Sequence, residues 1–405
     1  MVNPSPTVIT RKKNLVWISS LREEDIGAIP YVANSGQVLA SQGGILPSDK
    51  FYYGLRLRIR GRVTDGGGGA PGTQFADWPY SLVDHIRIEG YHRPRGAQER
   101  FVDDIRGPDI REYFSQMQGQ FSTLLVSTAA VPVFTPVLPR TANNGFAAGA
   151  GLSTDFIFFL DIIFPPPWPS GSPGINRQQA QWLLDAPNYD RLTLTVFWGD
   201  ILSGFTGANP PALWGFQQAA AGVPDCEVQA LYALGGKNNL FQGFVPGRVW
   251  RYQAENTTGD ILATVVNSRQ YNLPRGYRIA RVMTKTGVKS VTSTAGNNVY
   301  NTCLNTVLTN LRFNYGTNKV IRLHADYHSL RETTRQNYCL LGSDGYGHFD
   351  FISHGHLGEA LDCQSLVAGP TGDVDVFISA NTLAGANQGA LYMVEELRGK
   401  PQFVS

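Results

Sequence analysis

The chain has 405 residues, of which 42% are hydrophobic and 16% are charged. It can therefore bury cores and is not disordered by composition, and its length predicts two or three domains. A formal net charge of +2 disfavours a globally basic nucleic-acid binder. The 44 glycines and 24 prolines follow no strict period, which is typical of a turn-rich β protein and not of a fibrous one.

Cysteine spacing and apolar runs exclude further classes. No CxxC pair is present, which argues against a zinc ribbon or a disulfide scaffold. We expect buried, reduced thiols at Cys226, Cys303, Cys339 and Cys363. The longest apolar run, Phe156–Phe164, is shorter than the roughly 18 residues that a membrane span needs. The N-terminus lacks the apolar core of a signal peptide, which predicts synthesis and retention in a cytosol.

Residues 1–44 are predicted to form an N-terminal arm that does not fold alone. The arm carries a basic cluster, Arg11, Lys12 and Lys13. Such a cluster is most often a solvated tail, and contact with anionic lipid headgroups or packaged nucleic acid is the functional alternative. The Ser20–Glu24 segment has the residues of a helix cap, so one short helical turn is predicted there.

The first strong strand is predicted at Tyr53–Val63, where apolar residues alternate with arginines. The four arginines share one face: Arg56, Arg58, Arg60 and Arg62. This pattern is typical of a solvated or interface face, with phosphate binding as the alternative. The glycine run Gly66–Gly69 that follows lacks the Lys-Ser/Thr of a phosphate-binding loop, which predicts an ordinary loop.

A strand–turn–strand–helix unit occurs twice, at Leu82–Gln116 and at Leu308–Asn337. Each copy has an alternating segment, a turn, a second short apolar run and a helix that contains an Arg-Glu pair. Ile86 and Leu311 occupy equivalent positions in the two copies. We therefore predict an internal duplication, with a first domain at 45–236, a second at 237–399 and a C-terminal tail at 400–405.

The remaining predicted elements place short helices among strands in both halves. In the first half, strands are expected at Phe121–Val126, Val131–Val137, Thr154–Phe164, Tyr189–Trp198 and Cys226–Leu234, with a helix at Asn176–Leu184. In the second half, strands are expected at Arg248–Tyr252, Gly276–Met283, Tyr346–Ile352, Asp373–Ile378 and Ala390–Leu397, with a helix at Glu359–Leu366. The fold class is therefore all-β with short inserted helices.

The sequence has no catalytic motif with the required spacing. The sequence contains no GxSxG elbow, HExxH helix or EF-hand loop. His348, His354 and His356 lie close in the sequence, and His354 and His356 would share one face of a strand as two metal ligands do, but no third ligand to that pair stands at a spacing typical of a metal site. Nothing in the sequence positions Cys339 or Cys363 as a nucleophile. The prediction is a non-enzyme with no catalytic residue, metal or cofactor.

The order and spacing of these elements resemble the double jelly-roll major capsid proteins of tailless icosahedral viruses with an internal membrane, the tectivirus type. In the first half the resemblance rests on the strand Gly54–Val63 and on LVDHIRIEGY, REYF, DFIFFLDIIFPP, RQQAQWLL, YDRLTLTVF and DCEVQALYAL. In the second half it rests on NLFQGFVPGRVWRYQAEN, GYRIARV, LTNLRFNYG, VDVFISANTL and ALYMVEEL. The loop Gly66–Gly69 and the run Pro165–Pro169 depart from the pattern.

This resemblance implies two tandem eight-stranded jelly rolls and a virion capsid subunit made in the host cytoplasm. It implies a homotrimer with pseudo-hexameric outline that contacts neighbouring trimers, penton and minor capsid proteins, without specific recognition of nucleic acid. The loops Thr141–Gly151, Gly204–Pro224 and Ser290–Asn301 would form outer towers and subunit contacts. The arm would face an internal lipid membrane, with Arg11, Lys12 and Lys13 near anionic lipid.

Two other function classes stay open from the sequence. A two-domain β-sandwich that binds receptors or carbohydrates, as a spike does, would use loop aromatic residues such as Trp78, Tyr80, Trp214 and Tyr346. An enzyme of the bicupin type would need a metal cluster, for which the three histidines at 348, 354 and 356 are the candidates.

Overall fold

The computed structural model describes most of both halves of the chain. The described residues are 22–64, 73–74, 77–118, 123–129, 133–137, 152–166, 179–199, 205–206, 212–214, 225–234, 244–255, 267–273, 277–289, 300–306, 308–315, 319–324, 326–352, 360–363, 376–382, 388–399 and 402–403. The arm residues Arg11, Lys12 and Lys13 lie outside them.

Strands dominate the described residues. The first-half strands are β1 (Arg22–Ile29), β2 (Gly36–Val38), β3 (Lys50–Thr64), β4 (Thr73–Gln74), β5 (Val83–His92), β6 (Ala97–Ile105), β7 (Leu124–Ser127), β8 (Thr135–Val137), β9 (Ser153–Ile163), β10 (Leu184–Asp185), β11 (Tyr189–Trp198), β12 (Phe205–Thr206), β13 (Ala212–Trp214) and β14 (Asp225–Leu234). The second-half strands are β15 (Phe244–Val245), β16 (Arg248–Glu255), β17 (Asn267–Asn272), β18 (Arg278–Lys289), β19 (Tyr300–Cys303), β20 (Leu308–Tyr315), β21 (Lys319–His324), β22 (Tyr346–Asp350), β23 (Leu361–Asp362), β24 (Val376–Thr382), β25 (Gln388–Arg398) and β26 (Gln402–Phe403).

Helices are few and short. In the described part of the chain, the α-helices are α1 (Gly107–Gln118) and α2 (Tyr327–Tyr338). The 3₁₀ segments are Gln42–Gly44, Tyr80–Leu82, Arg93–Arg95, Gln179–Trp182 and Ala186–Asn188. Helix α2 begins after Asp326, whose side chain accepts a hydrogen bond from the backbone N–H of Ser329 and so caps the helix.

Sheet I is built from first-half strands alone. Its order is β1-β14-β3-β9-β7-β8, and β10 and β13 also pair with β3. Strand β3 is long and central because its apolar residues face the core while its arginines face away. Sheet I therefore forms one wall of the first core.

Sheet II contains strands of both halves. Its order is β19-β18-β25-β16-β6-β5-β11-β2, and β22 and β23 pair with β18. The two halves meet at a short parallel pair between β6 and β16, with Arg251 opposite Val102 and Tyr252 opposite Asp103. Sheet III, of order β17-β24-β20-β21, contains second-half strands alone. One hydrogen-bonded sheet therefore runs through both halves.

The first core lies between sheet I and the first-half strands of sheet II. The alternation in β5 places Ile86 and Ile88 in this core, where both are fully buried. From the opposite wall, Leu57 of β3 and Phe158 of β9 reach the same cluster. Burying side chains of this size stabilises the fold by about 1.5–3 kcal/mol each relative to leaving them exposed.

A second core gathers residues of sheet III, sheet II and α2. Phe313 of β20, Leu330 of α2, Phe349 of β22 and Val394 of β25 are all fully buried in it. Phe313 and Phe349 pack as tilted rings with centroids 5.9 Å apart. The second half thus has its own apolar centre.

The predicted duplication of the strand–strand–helix unit is confirmed. In the first copy, β5 pairs antiparallel with β6 and α1 follows; in the second, β20 pairs antiparallel with β21 and α2 follows. Each helix has 12 residues. Ile86 is buried as predicted, whereas the side chain of Leu311 lies outside the description.

Several local predictions were wrong. The Ser20–Glu24 turn is not helical where it is described, because β1 begins at Arg22 and pairs with β14. The helix predicted at Glu359–Leu366 is also wrong over its described part, where Leu361–Asp362 pairs with β18. At Asn176–Leu184 the described residues contain only a 3₁₀ turn and the start of β10. Long-range strand pairing outweighs local helical preference at the first two sites.

The cysteine prediction holds in part. All four cysteines are free, and Cys226, Cys303 and Cys363 are buried. Cys339 is exposed, contrary to expectation. It ends α2 in the left-handed conformation, with φ 59°, and its backbone N–H donates to the carbonyl of Arg335. This left-handed turn ends the helix, and the Cys339 residue lies exposed at that end.

Candidate functional site: a buried ionic junction

Helix α1 of the first half packs against strands of the second half through a polar stripe. Asp109, Glu112, Tyr113 and Gln116 recur at helical spacing on one face, and all four are fully buried. Strand β18 presents the facing residues, because its alternation turns Val282 toward the second core and the residues on either side of it toward α1. We call this contact region the junction.

At the centre of the junction, one carboxylate joins three adjacent strands. Glu395 of β25 stands opposite Arg251 of β16 and Arg281 of β18 in the sheet register. It accepts hydrogen bonds from Arg251 Nε at 2.8 Å and from Arg281 Nη1 at 3.1 Å. All three side chains are 0% exposed. Charged groups this deeply buried are tolerated only when paired.

Tyrosines complete the coordination of these charges. The Tyr113 hydroxyl of α1 donates to Glu395 Oε2 at 2.5 Å. Burial raises the pKa of Tyr113, and the negative charge of Glu395 raises it further, so the hydroxyl keeps its proton. Arg281 also bonds the hydroxyl of Tyr338 at 3.0 Å and lies 3.3 Å from Asp350. The first half is thereby hydrogen-bonded to the centre of the second.

A second ionic group lies along the same helix. Lys285 Nζ of β18 is 2.7 Å from Asp77 Oδ2 and 3.0 Å from Asp109 Oδ1. Asp109 also accepts from the Tyr346 hydroxyl at 2.7 Å and from Gln253 Nε2 at 2.6 Å. Burial alone would raise the pKa of Asp109, but Lys285 and these donors outweigh it and lower that pKa.

A third contact fixes the turn after α2 onto α1. Both carboxylate oxygens of Glu112 accept from Ser343, one from its backbone N–H and one from its hydroxyl, each at 2.7 Å. The same turn contains Gly345 at φ 77°, where an added Cβ would lie 2.3 Å from the carbonyl oxygen of Thr286. Only glycine fits this approach, so the turn is shaped to reach α1.

These contacts suit the junction to a structural role, which is to hold the two halves of the chain in one orientation. Each acidic member described above is matched by a cation or by hydroxyl and amide donors, so the charges are compensated inside the protein. Ionic and hydrogen-bonded contacts are directional, whereas apolar contacts tolerate sliding. The junction therefore fixes how the two halves are oriented.

The arginines of β3 form an ion-paired ladder on the outer face of sheet I. Arg56 binds Asp161 through two hydrogen bonds, at 2.7 and 3.1 Å. Arg62 binds Asp155 in the same way, at 2.6 and 2.9 Å. Arg58 and Arg60 share Glu227 of β14. The ladder is thus a cross-strand ionic network, and its guanidinium groups are engaged by carboxylates and not left open for phosphate.

The histidine and cysteine candidates are not brought together among the described residues. His348 is buried, and neither of its ring nitrogens has a hydrogen-bond partner within the described part of the chain. Burial lowers its pKa to about 3. His354 and His356 lie outside the described residues. Burial raises the pKa of the Cys363 thiol to about 12. Within the described ranges, no group of three or more potential ligands is placed to hold a metal ion.

The aromatic residues proposed for a carbohydrate-binding alternative are largely inaccessible. Trp78 and Tyr346 are fully buried, and Tyr80 is only 2% exposed. The side chain of Trp214 lies outside the description. Three of the four residues therefore serve packing and the junction.

Sequence reasoning missed the junction, although a signal was present. Arg281 and Lys285 stand close to the apolar residues Val282 and Met283, and Glu395 follows Tyr392–Val394 directly. Charges inside a run that reads as buried on both faces indicate partners of opposite charge elsewhere in the chain. The sequence does not reveal which partners, because they lie more than a hundred residues away.

No protein-family model matches the chain, and no curated protein sequence matches it. Several solved structures, however, match the chain. The major capsid protein of STIV, the Sulfolobus turreted icosahedral virus, superposes with TM-score 0.59 at 12% identity, covering 93% of this chain and 96% of that one. The Faustovirus major capsid protein gives TM-score 0.54 at 9% identity, covering 96% and 91%. PBCV-1 VP54, fitted into a reconstruction of the virophage Sputnik, gives 0.52 at 11% identity, covering 96% and 98%.

The fold is a double jelly roll. The likeness extends over nearly the whole chain, which confirms the predicted fold class. The junction connects the two halves of the chain, because α1 lies in the first half and β16, β18 and β25 lie in the second. None of the helices in the described part of the chain is long and apolar enough to cross a membrane.

Proposed function

We propose that this protein is the major capsid subunit of an icosahedral virus and acts by self-assembly. The observation that carries the proposal is the double jelly roll itself, matched over 93–96% of this chain by capsid proteins at TM-scores above 0.5. Identities of 9–12% are too low to transfer individual residues, so the proposal rests on architecture.

The architecture explains how such a subunit would tile a shell. Two similar rolls in each subunit of a homotrimer present six comparable corners, so threefold symmetry produces a pseudo-hexameric outline. This works only if the two rolls keep a fixed orientation, because an error at each corner would accumulate over a closed lattice. The buried junction supplies that fixed orientation through the contacts of Glu395, Lys285 and Glu112.

The finer parts of the proposal concern partners and location. The subunit would contact neighbouring trimers, penton proteins and minor capsid proteins, after synthesis in the host cytoplasm. Its basic arm, Arg11, Lys12 and Lys13, would face an internal lipid membrane, where clustered cations bind anionic headgroups. No catalytic activity and no cofactor belong to this function.

The oligomeric state tests the proposal. Size-exclusion chromatography with light scattering on the full chain should give a mass three times that of the 44.4 kDa monomer. Negative-stain images of the same fraction should show particles of hexagonal outline. A monomer that shows specific binding to a glycan array would refute the capsid function and favour the spike-like alternative.

A further inference from the structure

One contact in the junction has the composition of a reaction centre. Lys285 Nζ lies between the carboxylates of Asp77 and Asp109, and the three side chains are 0%, 3% and 0% exposed. Asp77 belongs to the first half and Lys285 to β18 of the second, 208 positions apart in the chain. An amine, one carboxyl that can act as the acyl donor and a second carboxyl that can carry protons are the groups needed to condense an amide.

We propose that Lys285 and Asp77 form an intramolecular isopeptide bond that links the two halves covalently, with Asp109 as the proton carrier. The distance of 2.7 Å between Nζ and Asp77 Oδ2 places the amine against the carboxyl it attacks. Reacting atoms held about 3 Å apart in a rigid site react as one molecule, which removes much of the entropic barrier.

The two carboxyl groups have different surroundings, which assigns their roles. Asp109 accepts strong hydrogen bonds from Tyr346 and from Gln253, at 2.7 and 2.6 Å, and such donors stabilise its anionic form. An anion held in this way serves as a base toward Nζ, 3.0 Å away. Asp77 Oδ1 lies 3.9 Å from the weak thiol donor Cys303 Sγ. Asp77 Oδ2 is the carboxylate oxygen nearer to Nζ, at 2.7 Å against 3.0 Å for Asp109 Oδ1, so Asp77 is the acyl donor.

The step balances without any added reagent. The Lys285 ammonium gives one proton to Asp109, and the neutral amine attacks Cγ of Asp77 to form the new C–N bond. Asp109 then passes this proton to the Asp77 oxygen that will leave. The nitrogen loses a second proton, which Asp109 carries to the same oxygen. The C–O bond breaks and water departs. Of the three ammonium hydrogens, one stays on the amide nitrogen and two leave in a water molecule.

The surroundings favour the product. An ammonium and a carboxylate in a buried site have each lost their hydration, which costs several kcal/mol per ion in proteins. The amide is neutral, so condensation removes the buried charges of Lys285 and Asp77, while Asp109 keeps its hydrogen bonds from Tyr346 and Gln253. The ring of Tyr346, whose centroid is 5.3 Å from Nζ, adds to the enclosure of the site.

Intact mass spectrometry of the full-length wild-type protein tests the bond. After overnight incubation and denaturation, the mass should be lower than the sequence mass by one water molecule. Trypsin should yield a branched peptide in which Val282–Lys289, uncut at Lys285, is joined to the Val63–Arg87 peptide containing Asp77. The pair of buried Lys50 and half-exposed Glu24, 2.9 Å apart, is the internal control and should stay unlinked. A wild-type mass equal to the sequence mass overturns the proposal.

Variants separate the roles of the residues. Lys285→Met should show its full sequence mass. Asp77→Asn should lose one ammonia instead of one water and so reach the wild-type product, whereas no loss would show that Asp77 is not the acyl donor. Asp109→Asn, folded by circular dichroism, should remain unlinked, and a linked product would remove Asp109 from the mechanism. If Asp109→Asn is insoluble, Tyr346→Phe replaces it, because it removes a hydrogen bond to Asp109. A lower rate of isopeptide formation in this variant supports the role of Asp109, and an unchanged rate overturns that role.

Discussion

Replacing Glu395 by glutamine should destabilise the protein strongly. The variant keeps the shape of the side chain but removes the negative charge that bonds both Arg251 and Arg281. With Asp350 still beside Arg281, the central group changes from two cations and two anions to a net charge of +1 in a site that is 0–2% exposed.

The magnitude follows from leaving a buried cation without its partner. Breaking one member of a buried ion pair costs about 3–5 kcal/mol, because the remaining charge keeps its desolvation penalty. Folded domains have about 5–15 kcal/mol of total stability, so the loss is a large fraction of it. Arg251 keeps a bond to the carbonyl of Pro165 at 3.0 Å, which places the expected cost toward the lower end of the range.

A double-mutant cycle in guanidinium denaturation measures the effect. Arg251→Met alone should also destabilise, whereas Arg251→Met combined with Glu395→Gln restores neutrality and should recover part of the summed loss. Glu332→Gln is the matched surface control, because its ion pair with Arg335 is about half exposed, and it should leave the midpoint unchanged. Glu395→Gln with wild-type stability, or a strictly additive double variant, would refute the idea that the junction is held by charge.

Three further predictions concern pH, backbone and core. Burial lowers the pKa of His348 from 6.5 to about 3, so on acidification the imidazole is protonated in the unfolded chain before it is protonated in the folded protein. The contribution of His348 to the free energy of unfolding is therefore complete above pH 6.5. It falls by up to about 1.4 kcal/mol per pH unit as the pH drops toward 3. In urea titrations at successive pH values, the free energy of unfolding of His348→Leu should fall less steeply below pH 6.5 than that of the wild type. An identical pH dependence would contradict the lowered pKa of His348. Gly345→Ala should cost about 2 kcal/mol or more, because its Cβ meets the Thr286 oxygen, whereas Gly43→Ala, also at positive φ but with nothing within 4 Å, should cost about 1 kcal/mol. Ile86→Asp and Phe313→Asp each place a charge in a fully buried position of a different core and should abolish soluble trimer, so soluble trimer from either variant would show that the core is assigned wrongly.

Strand positions and the duplicated unit were predictable because their signal is local. The alternation in Tyr53–Val63 lies inside the observed strand Lys50–Thr64, and the two predicted strand–strand–helix units lie where expected. The predicted helical turn at Ser20–Glu24 failed for the opposite reason. Arg22–Ile29 forms a strand because it pairs antiparallel with β14, which lies some two hundred residues later in the chain. Local propensity is a weak guide wherever a distant strand decides the conformation.

The junction was not predictable from one sequence, and the reason is also physical. A buried charge such as Lys285 or Arg281 can be recognised from its apolar neighbours, but its partner is defined by packing alone. Asp109 reads as an ordinary acidic residue in the first turn of a helix, where it also suits the helix dipole. Only the docking of α1 on β18 shows that this carboxylate meets Lys285.

The continuity of sheet II sharpens what the junction must do. Among the described residues, the halves share a short parallel strand pairing between β6 and β16, and one further backbone hydrogen bond runs from the N–H of Gly247 to the carbonyl of Gln181. Helix α1 adds contacts to β18, β25 and the turn at Ser343 through Asp109, Tyr113 and Glu112. A rotation of one half against the other would break these three contacts together and expose buried charge. We infer that the ionic character of the junction is what turns two adjoining rolls into one rigid building block.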